Sequence, residues 1–212
     1  MDNILKGIVA FQKHDFDKHK ELFETLGRTH NPHTLFIGCS DSRVVPNLIT
    51  RTLPGELFMV RNIANLVPLY READEFLATT SAIEYAVQAL NVENIIICGH
   101  SNCGGCASLY LSDQELSTIP HTRKWLQLAL PVKEKVLALP ESEDPAVREW
   151  LTEQINVVEQ MKHLLSYPFI REKYQQGTLK IMGWHYIIET GEIFAYNKAT
   201  GTFDLIESPM SE

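Results

Sequence analysis

Long apolar runs, basic tracts and internal repeats are all missing from this 212-residue chain, and each absence removes a class of function. No stretch approaches the roughly 20 consecutive apolar residues that a bilayer-crossing helix needs. No run of Lys or Arg is long enough to follow a phosphate backbone, and a formal net charge of -8 argues further against nucleic acid as a partner. The first fifteen residues begin with acidic Asp2 and space their apolar residues as a helix does, without the basic start and continuous apolar core of a signal peptide. A cytoplasmic protein is expected on that reading. Cysteine is scarce as well: there are four, three of them between Cys98 and Cys106, a clustering that suits metal or thiol chemistry better than a disulfide framework. Low-complexity tracts and a convincing linker are also absent. With 44% apolar residues the chain can bury a substantial core, and a single domain spanning residues 1–212 is expected.

What is there reads as a mostly parallel α/β sheet flanked by helices. Residues 1–30 form a helical arm, with Ile4, Leu5, Ile8 and Val9, then Leu22, Phe23 and Leu26, at helical spacing; Gly27 stops it. Residues 31–110 hold the α/β core. Leu35–Gly38, Leu57–Val60 and Ile95–Cys98 read as buried strands, a helix runs from about Asp74 to Leu90, and Gly104-Gly105 opens another. Residues 111–178 are mainly helical. A polar loop is expected over Ser112–Pro120, a helix over His121–Leu139 that bends at Pro131, and a helix started by Asp144-Pro145. That last helix places Val147, Trp150, Leu151, Ile155, Val158, Met161, Leu164 and Leu165 on one stripe. Residues 179–206 supply an extended C-terminal strand and hairpin, with turns at Thr190-Gly191 and Thr200-Gly201.

Two short stretches carry the chemistry: Cys39-Ser40-Asp41-Ser42-Arg43 and His100-Ser101-Asn102-Cys103-Gly104-Gly105. Each follows a strand, and in an open parallel sheet the loops at the carboxyl ends of strands form the binding crevice. Two thiols and one imidazole are a ligand set suited to zinc, with room for a fourth, exchangeable ligand. His100 and Cys103 are three residues apart at a helix entrance, so both can face one ion, and the two glycines permit close backbone approach. Taken singly, Cys39 reads as core filler, His100 as a hydrogen-bonded loop residue, and Asp41 with Arg43 as a loop salt bridge. A rival is Cys103-Gly-Gly-Cys106, a spacing used in thiol-disulfide exchange, which leaves Cys39, Asp41, Arg43 and His100 without a role. The remaining histidines have no partners at ligand spacing and are assigned to surface or packing.

Cys-x-Asp-x-Arg at 39–43 and His-x-x-Cys at 100–103 resemble the two motifs of the β-class carbonic anhydrases of bacterial type. Pro54-Gly55-Glu56, Arg61-Asn62-Ile63-Ala64-Asn65, Ser81-Ala82-Ile83-Glu84-Tyr85 and Gly183-Trp184-His185-Tyr186 extend the resemblance over nearly the whole chain. It implies one zinc per subunit held by Cys39, His100 and Cys103, with Asp41 and Arg43 as a catalytic dyad. Asp41 has a second option, swinging from Arg43 into the fourth zinc position. The resemblance further implies an apolar substrate pocket of Phe58, Ile63 and Tyr85 shared across two subunits, with Gly104 at the helix start beside it. It implies a homodimer or homotetramer whose N-terminal helices embrace the partner.

The activity so implied is reversible hydration of carbon dioxide to bicarbonate and a proton by zinc-bound hydroxide. Two thiolates cancel the zinc's charge, so rates are expected to rise toward alkaline pH. A relative with the same zinc set could instead hydrolyse carbonyl sulfide or carbon disulfide, and a zinc of purely structural role would serve an interaction protein. Two positions depart from the pattern. His30 stands where many members carry a substrate-binding Gln, nine residues before the first zinc Cys. A second, bicarbonate-binding site of some bacterial members falls at Phe36, Arg61 and Tyr186, where Phe36 offers no indole donor.

Overall fold

The computed structural model describes residues 1–71 and 76–207. Its sheet is built from β1 (Thr34–Cys39), β2 (Leu57–Asn62), β3 (Asn94–His100), β4 (Lys180–Tyr186), β5 (Ile193–Asn197) and β6 (Thr202–Leu205), in the order β2-β1-β3-β4-β5-β6. The first four strands are parallel; β4, β5 and β6 run antiparallel as the expected C-terminal hairpin. The strand order reverses at β1, with β2 on one side and β3 on the other. The crevice at such a reversal lies outside the carboxyl ends of the two strands, here Cys39 and His100.

β1 is buried along its whole length and β3 from Ile95 onward, with apolar cores Leu35–Ile37 and Ile95–Cys98, because both faces of the sheet are covered. Leu35, Ile37, Ile95 and Ile97 face Ile83 and Val87 from one helix and Val157, Met161 and Leu164 from another. Phe36, Ile96 and Cys98 face the opposite way, against Met182, Trp184 and Tyr186. Each fully buried aliphatic side chain contributes about 1.5–3 kcal/mol. A third apolar cluster, containing Cys39, Cys103, Cys106, Ala64, Leu109, Val132 and Val136, surrounds the strand ends themselves.

The helix Pro145–Leu164 lies across β3 and β4. Asp144 caps it, its Oδ1 accepting the N–H of Ala146 at 2.8 Å, and Pro145 occupies the first turn. The buried face overlaps the expected stripe only in part: Met161 and Leu164 are buried as expected, and Leu151, Ile155 and Leu165 pack against the core. Val147 and Trp150 are 37% and 40% exposed, while Thr152, Glu153, Asn156, Val157, Gln160, Met161 and Leu164 are buried. The sheet decides this: a Cβ at Gly183 would stand 2.4 Å from the Met161 sulfur and 2.8 Å from Val157, so only glycine there lets the helix settle on that row. The polar members of the face are then consumed by backbone groups, Gln160 accepting the Val67 N–H and Asn156 donating to the Ala64 carbonyl.

Three other expectations are corrected. Ser112–Pro120 is not a plain loop: Asp113–Ser117 is helical, fixed by a reciprocal Ser112–Glu115 capping box. The helix expected over His121–Leu139 is two helices, Pro120–Leu126 and Leu130–Leu137, broken before Pro131 at Ala129 (φ -105°, ψ 7°). A further helix, Pro168–Gln175, follows the Tyr167-Pro168 stop. The helix expected from about Asp74 begins within the described residues at Leu77; Asp74 itself lies outside them.

The N-terminal arm comprises Asp2–Ala10, a wider turn over Phe11–Asp15, and Lys20–Leu26 after a break at His19. Neither helix buries a residue, and Ile4, Leu5, Ile8, Val9 and Phe11 are 45–67% exposed. Among the described residues no helix is long and apolar enough to cross a membrane.

Candidate metal centre

Cys39 is the last residue of β1 and His100 the last of β3, and the sheet register, with Gly38 opposite Cys98, brings the two strand ends to within one residue of each other. Cys103 is brought back toward them by Asn102, which adopts the left-handed conformation at φ 54°. The metal-binding atoms of Cys39, His100 and Cys103 all lie within 4.8 Å of one another, and all three residues are buried. Beyond Cys103 the helix Gly104–Ala107 begins. A Cβ at Gly105 would stand 2.9 Å from Ala64 and Ile63, so this glycine permits the close approach, whereas Gly104 has open space around it.

The donor set fits a zinc ion. In a tetrahedral site with zinc–sulfur bonds of about 2.3 Å, two sulfurs stand about 3.8 Å apart; the Cys39 and Cys103 sulfurs are 4.0 Å apart. His100 Nδ1 donates to the Ser101 carbonyl at 2.9 Å, which leaves Nε2 as the bare nitrogen. That buried Nε2 has no hydrogen-bond partner among the described residues, a costly arrangement unless a cation takes its lone pair. The thiols tell the same story. Contact with Cys103, then burial, pushes the Cys39 thiol up to about 12. Cys103 is raised too, first by its contact with Cys106. Burial pulls His100 down, but Cys39, the Ser101 carbonyl and Asp41 outweigh it and leave the imidazole raised. Side chains in this arrangement become thiolates and a neutral imidazole only when a positive charge sits among them.

Asp41 lies beside this group, outside it. Its Oδ2 is 4.0 Å from His100 Nε2, and both its oxygens are taken by Arg43. Those hydrogen bonds hold the Asp41 carboxyl well below the usual carboxylate range. Arg43 is itself fixed by donating to the Asn102 carbonyl at 2.9 Å. Asn102 and Ser101 are in turn held by Glu189 on the β4–β5 turn, at 2.6 and 2.8 Å. Neither Glu189 nor this chain of contacts is legible from residue spacing, because the turn lies far along the sequence and only strand pairing brings it here.

The other candidate residues are distributed differently. Ile63, 40% exposed, sits against Gly105 at the edge of the metal group. Phe58 and Tyr85 form an aromatic pair at 6.0 Å, and the His30 ring lies 6.2 Å from that of Phe58. Phe58 is in register with Leu35, four residues back from Cys39, which is ~13 Å along a strand. The chain's own Phe58 and Tyr85 therefore do not wall its own metal group. Arg61 donates to the backbone carbonyls of Cys39 and Asp41 and braces the loop. Phe36 is fully buried in one cluster with Tyr186, edge-on to Trp184 at 6.4 Å. Cys106 faces the apolar cluster and accepts from Asn156, an arrangement that does not favour thiol-disulfide exchange through Cys103 and Cys106.

The sequence profile that describes carbonic anhydrase matches residues 34–193. Among curated proteins, a carbonic anhydrase of Helicobacter pylori is 46% identical over 209 residues, covering 97% of this chain and 95% of the relative. One from Synechococcus elongatus is 37% identical over 203 residues, covering 94% and 73%. Among solved structures, the β-carbonic anhydrase CcaA superposes with a TM-score of 0.92 at 35% identity, covering 97% of this chain and 98% of the other. A tetrameric β-carbonic anhydrase of Sordaria macrospora superposes with a TM-score of 0.77 at 31% identity, covering 92% and 95%.

Proposed function

The chain belongs to the β-class carbonic anhydrases, and from its geometry we infer which residues perform the reversible hydration of carbon dioxide to bicarbonate and a proton. One observation carries the assignment: three soft and borderline ligand atoms, drawn from two strand ends and a helix entrance, gathered within 4.8 Å of one another. Cys39, His100 and Cys103 hold one zinc ion per subunit. When bound, zinc supplies the Lewis acidity that makes a water molecule acidic enough near neutral pH to attack a carbonyl carbon, an effect for which carbonic anhydrase is the standard example.

The chain's own side chains do the rest. Asp41 accepts a hydrogen bond from the attacking water and turns its lone pair toward the substrate. Arg43 keeps Asp41 ionised and aimed, through two hydrogen bonds supported by its third contact to the Asn102 carbonyl. Release from Arg43 would let Asp41 move into the fourth ligand position and close the site. Ile63 and Gly104 border the place where carbon dioxide sits, and apolar walls suit a molecule without a dipole.

Phe58 and Tyr85 complete that pocket in a second copy of the chain. Their distance from their own Cys39 supports this, as do the exposed apolar residues Ile4, Leu5, Ile8, Val9 and Phe11 of the N-terminal arm. Residues 1–212 act as one domain within a cytoplasmic homodimer or homotetramer.

Zinc analysis beside stopped-flow carbon dioxide hydration tests the reading, on wild type and Cys39→Ser. Stoichiometric zinc and fast hydration in the first, both lost in the second, are the expected results. Fast hydration by a zinc-free Cys39→Ser protein would overturn it.

A further inference from the structure

Glu153 is 2% exposed, in the middle of the helix Pro145–Leu164, yet it touches the metal group. Its Oε1 accepts the backbone N–H of Cys103 at 2.8 Å. Its Oε2 lies 3.0 Å from Nε2 of His185, a fully buried residue of β4. The His185 ring packs edge-on against Trp150 at 4.8 Å, and its Nδ1 has no hydrogen-bond partner among the described residues. Burying a carboxyl costs free energy that neighbouring hydrogen bonds must offset. Among the described residues two groups do so, and one of them is the peptide of a candidate zinc-binding cysteine.

The placement is specific. Cys103 precedes a helix of only four residues, so no long element anchors it. His100 is tied to β4 by strand register, opposite Tyr186, while the register partner of His185 is Gly99. β4 therefore holds His100 directly and holds Cys103 through His185 and Glu153. We propose that Glu153 and His185 are a buried positioning pair that sets the Cys103 sulfur for zinc. Glu153 fixes the Cys103 peptide, and His185 fixes the carboxyl that does so. Buried partners behind metal ligands typically alter metal affinity by about 10- to 100-fold.

This rests on the zinc reading of Cys39, His100 and Cys103, and the experiment separates the two. Zinc affinity is measured by chelator competition, and the sulfur-to-metal charge-transfer band is recorded on cobalt-substituted protein. The variants are Glu153→Met, Glu153→Gln and His185→Phe, with thermal midpoints of the metal-free forms. Glu153→Met removes both hydrogen bonds and is expected to bind zinc about 10- to 100-fold more weakly with a shifted cobalt band. Glu153→Gln keeps an acceptor for the Cys103 N–H and should restore most of the affinity. His185→Phe retains the ring against Trp150 and should weaken zinc about tenfold.

Wild-type affinity and an unmoved cobalt band in both Glu153→Met and His185→Phe, with lower metal-free midpoints, would make the pair merely structural and sink the proposal. If Glu153→Met does not fold, His185→Phe against wild type decides alone. Failure of the zinc reading looks different: wild type itself would show no zinc and no cobalt band, as would Cys39→Ser.

Discussion

Arg43 grips Asp41 by two parallel hydrogen bonds, Nε to Oδ1 at 2.9 Å and Nη2 to Oδ2 at 2.8 Å, while Asp41 Oδ2 stands 4.0 Å from His100 Nε2. The carboxylate is thus poised beside the metal group but held off it. Asp41→Asn keeps the shape and loses the charge and the strong acceptor. It is expected to lower kcat/KM for hydration about 100-fold with zinc content unchanged. Arg43→Lys cannot reproduce the fork and should lose at least tenfold. Wild-type rates in zinc-loaded Asp41→Asn would remove Asp41 from the mechanism.

The ligand charges set the pH dependence of the loaded enzyme. Two thiolates cancel the charge that three neutral imidazoles would leave on zinc, so the bound water is less acidic than the pKa of about 7 found with three histidines. The hydration rate should therefore climb between about pH 7 and pH 9. A flat profile across that interval, measured at constant zinc content, is the contrary result.

The exposed arm predicts an assembly that activity depends on. Ile8→Glu with Phe11→Glu places charge on apolar residues that the single chain leaves 49% and 45% exposed. Sedimentation should show monomers, and hydration should fall with assembly because Phe58 and Tyr85 no longer reach a partner's site. An unchanged mass in solution would show that the arm has another role.

Gly105 and Gly104 are adjacent but not equivalent. A Cβ at position 105 meets Ala64 and Ile63 at 2.9 Å, and nothing lies within 4 Å at position 104. Gly105→Ala is expected to cost about 1–3 kcal/mol in denaturant unfolding, as overpacking does. Gly104→Ala should stay within a few tenths of a kcal/mol, on the order seen for uncrowded sites. Equal midpoints would mean that the Ile63–Asn65 loop yields freely.

Glu159 makes part of the stability pH-dependent. Burial raises its carboxyl, but Lys135, Lys162 and His163 outweigh that and hold it lowered. A lowered folded pKa gives stability that is present above the unfolded value of about 4.3 and lost as pH falls through the folded one. Both lysines reach solvent, so screening limits the effect to about 0.5–1 kcal/mol. Glu159→Gln should unfold roughly 1–4 °C below wild type at neutral pH. The gap should close below about pH 4; a gap that persists there has another cause.

The parallel strands were legible because Leu35–Gly38 and Ile95–Cys98 are continuous apolar runs, the pattern of strands covered on both faces. His100 and Cys103 were legible because they close and follow one such strand three residues apart, and Cys39 because it closes another parallel strand. The capping box Ser112–Glu115 carried a readable signal too, but it stood inside a polar stretch that resembled a loop.

Other features depend on what lies across the fold. Apolar periodicity placed Trp150 on the inner face of its helix, yet the glycine at 183 lets the sheet accept the neighbouring row, and this buries Glu153 and Gln160. Phe58 and Cys39 share no site in one chain, since register sets them four residues apart on neighbouring strands. The amino-acid order by itself determined the strands, their direction and the candidate ligand pair His100 and Cys103, because hydrophobic period and short ligand spacing are local. Tertiary structure alone decided which polar groups stand behind those ligands, because a hydrogen bond such as Glu153 to Cys103 spans fifty residues and exists only when a helix and a strand end meet.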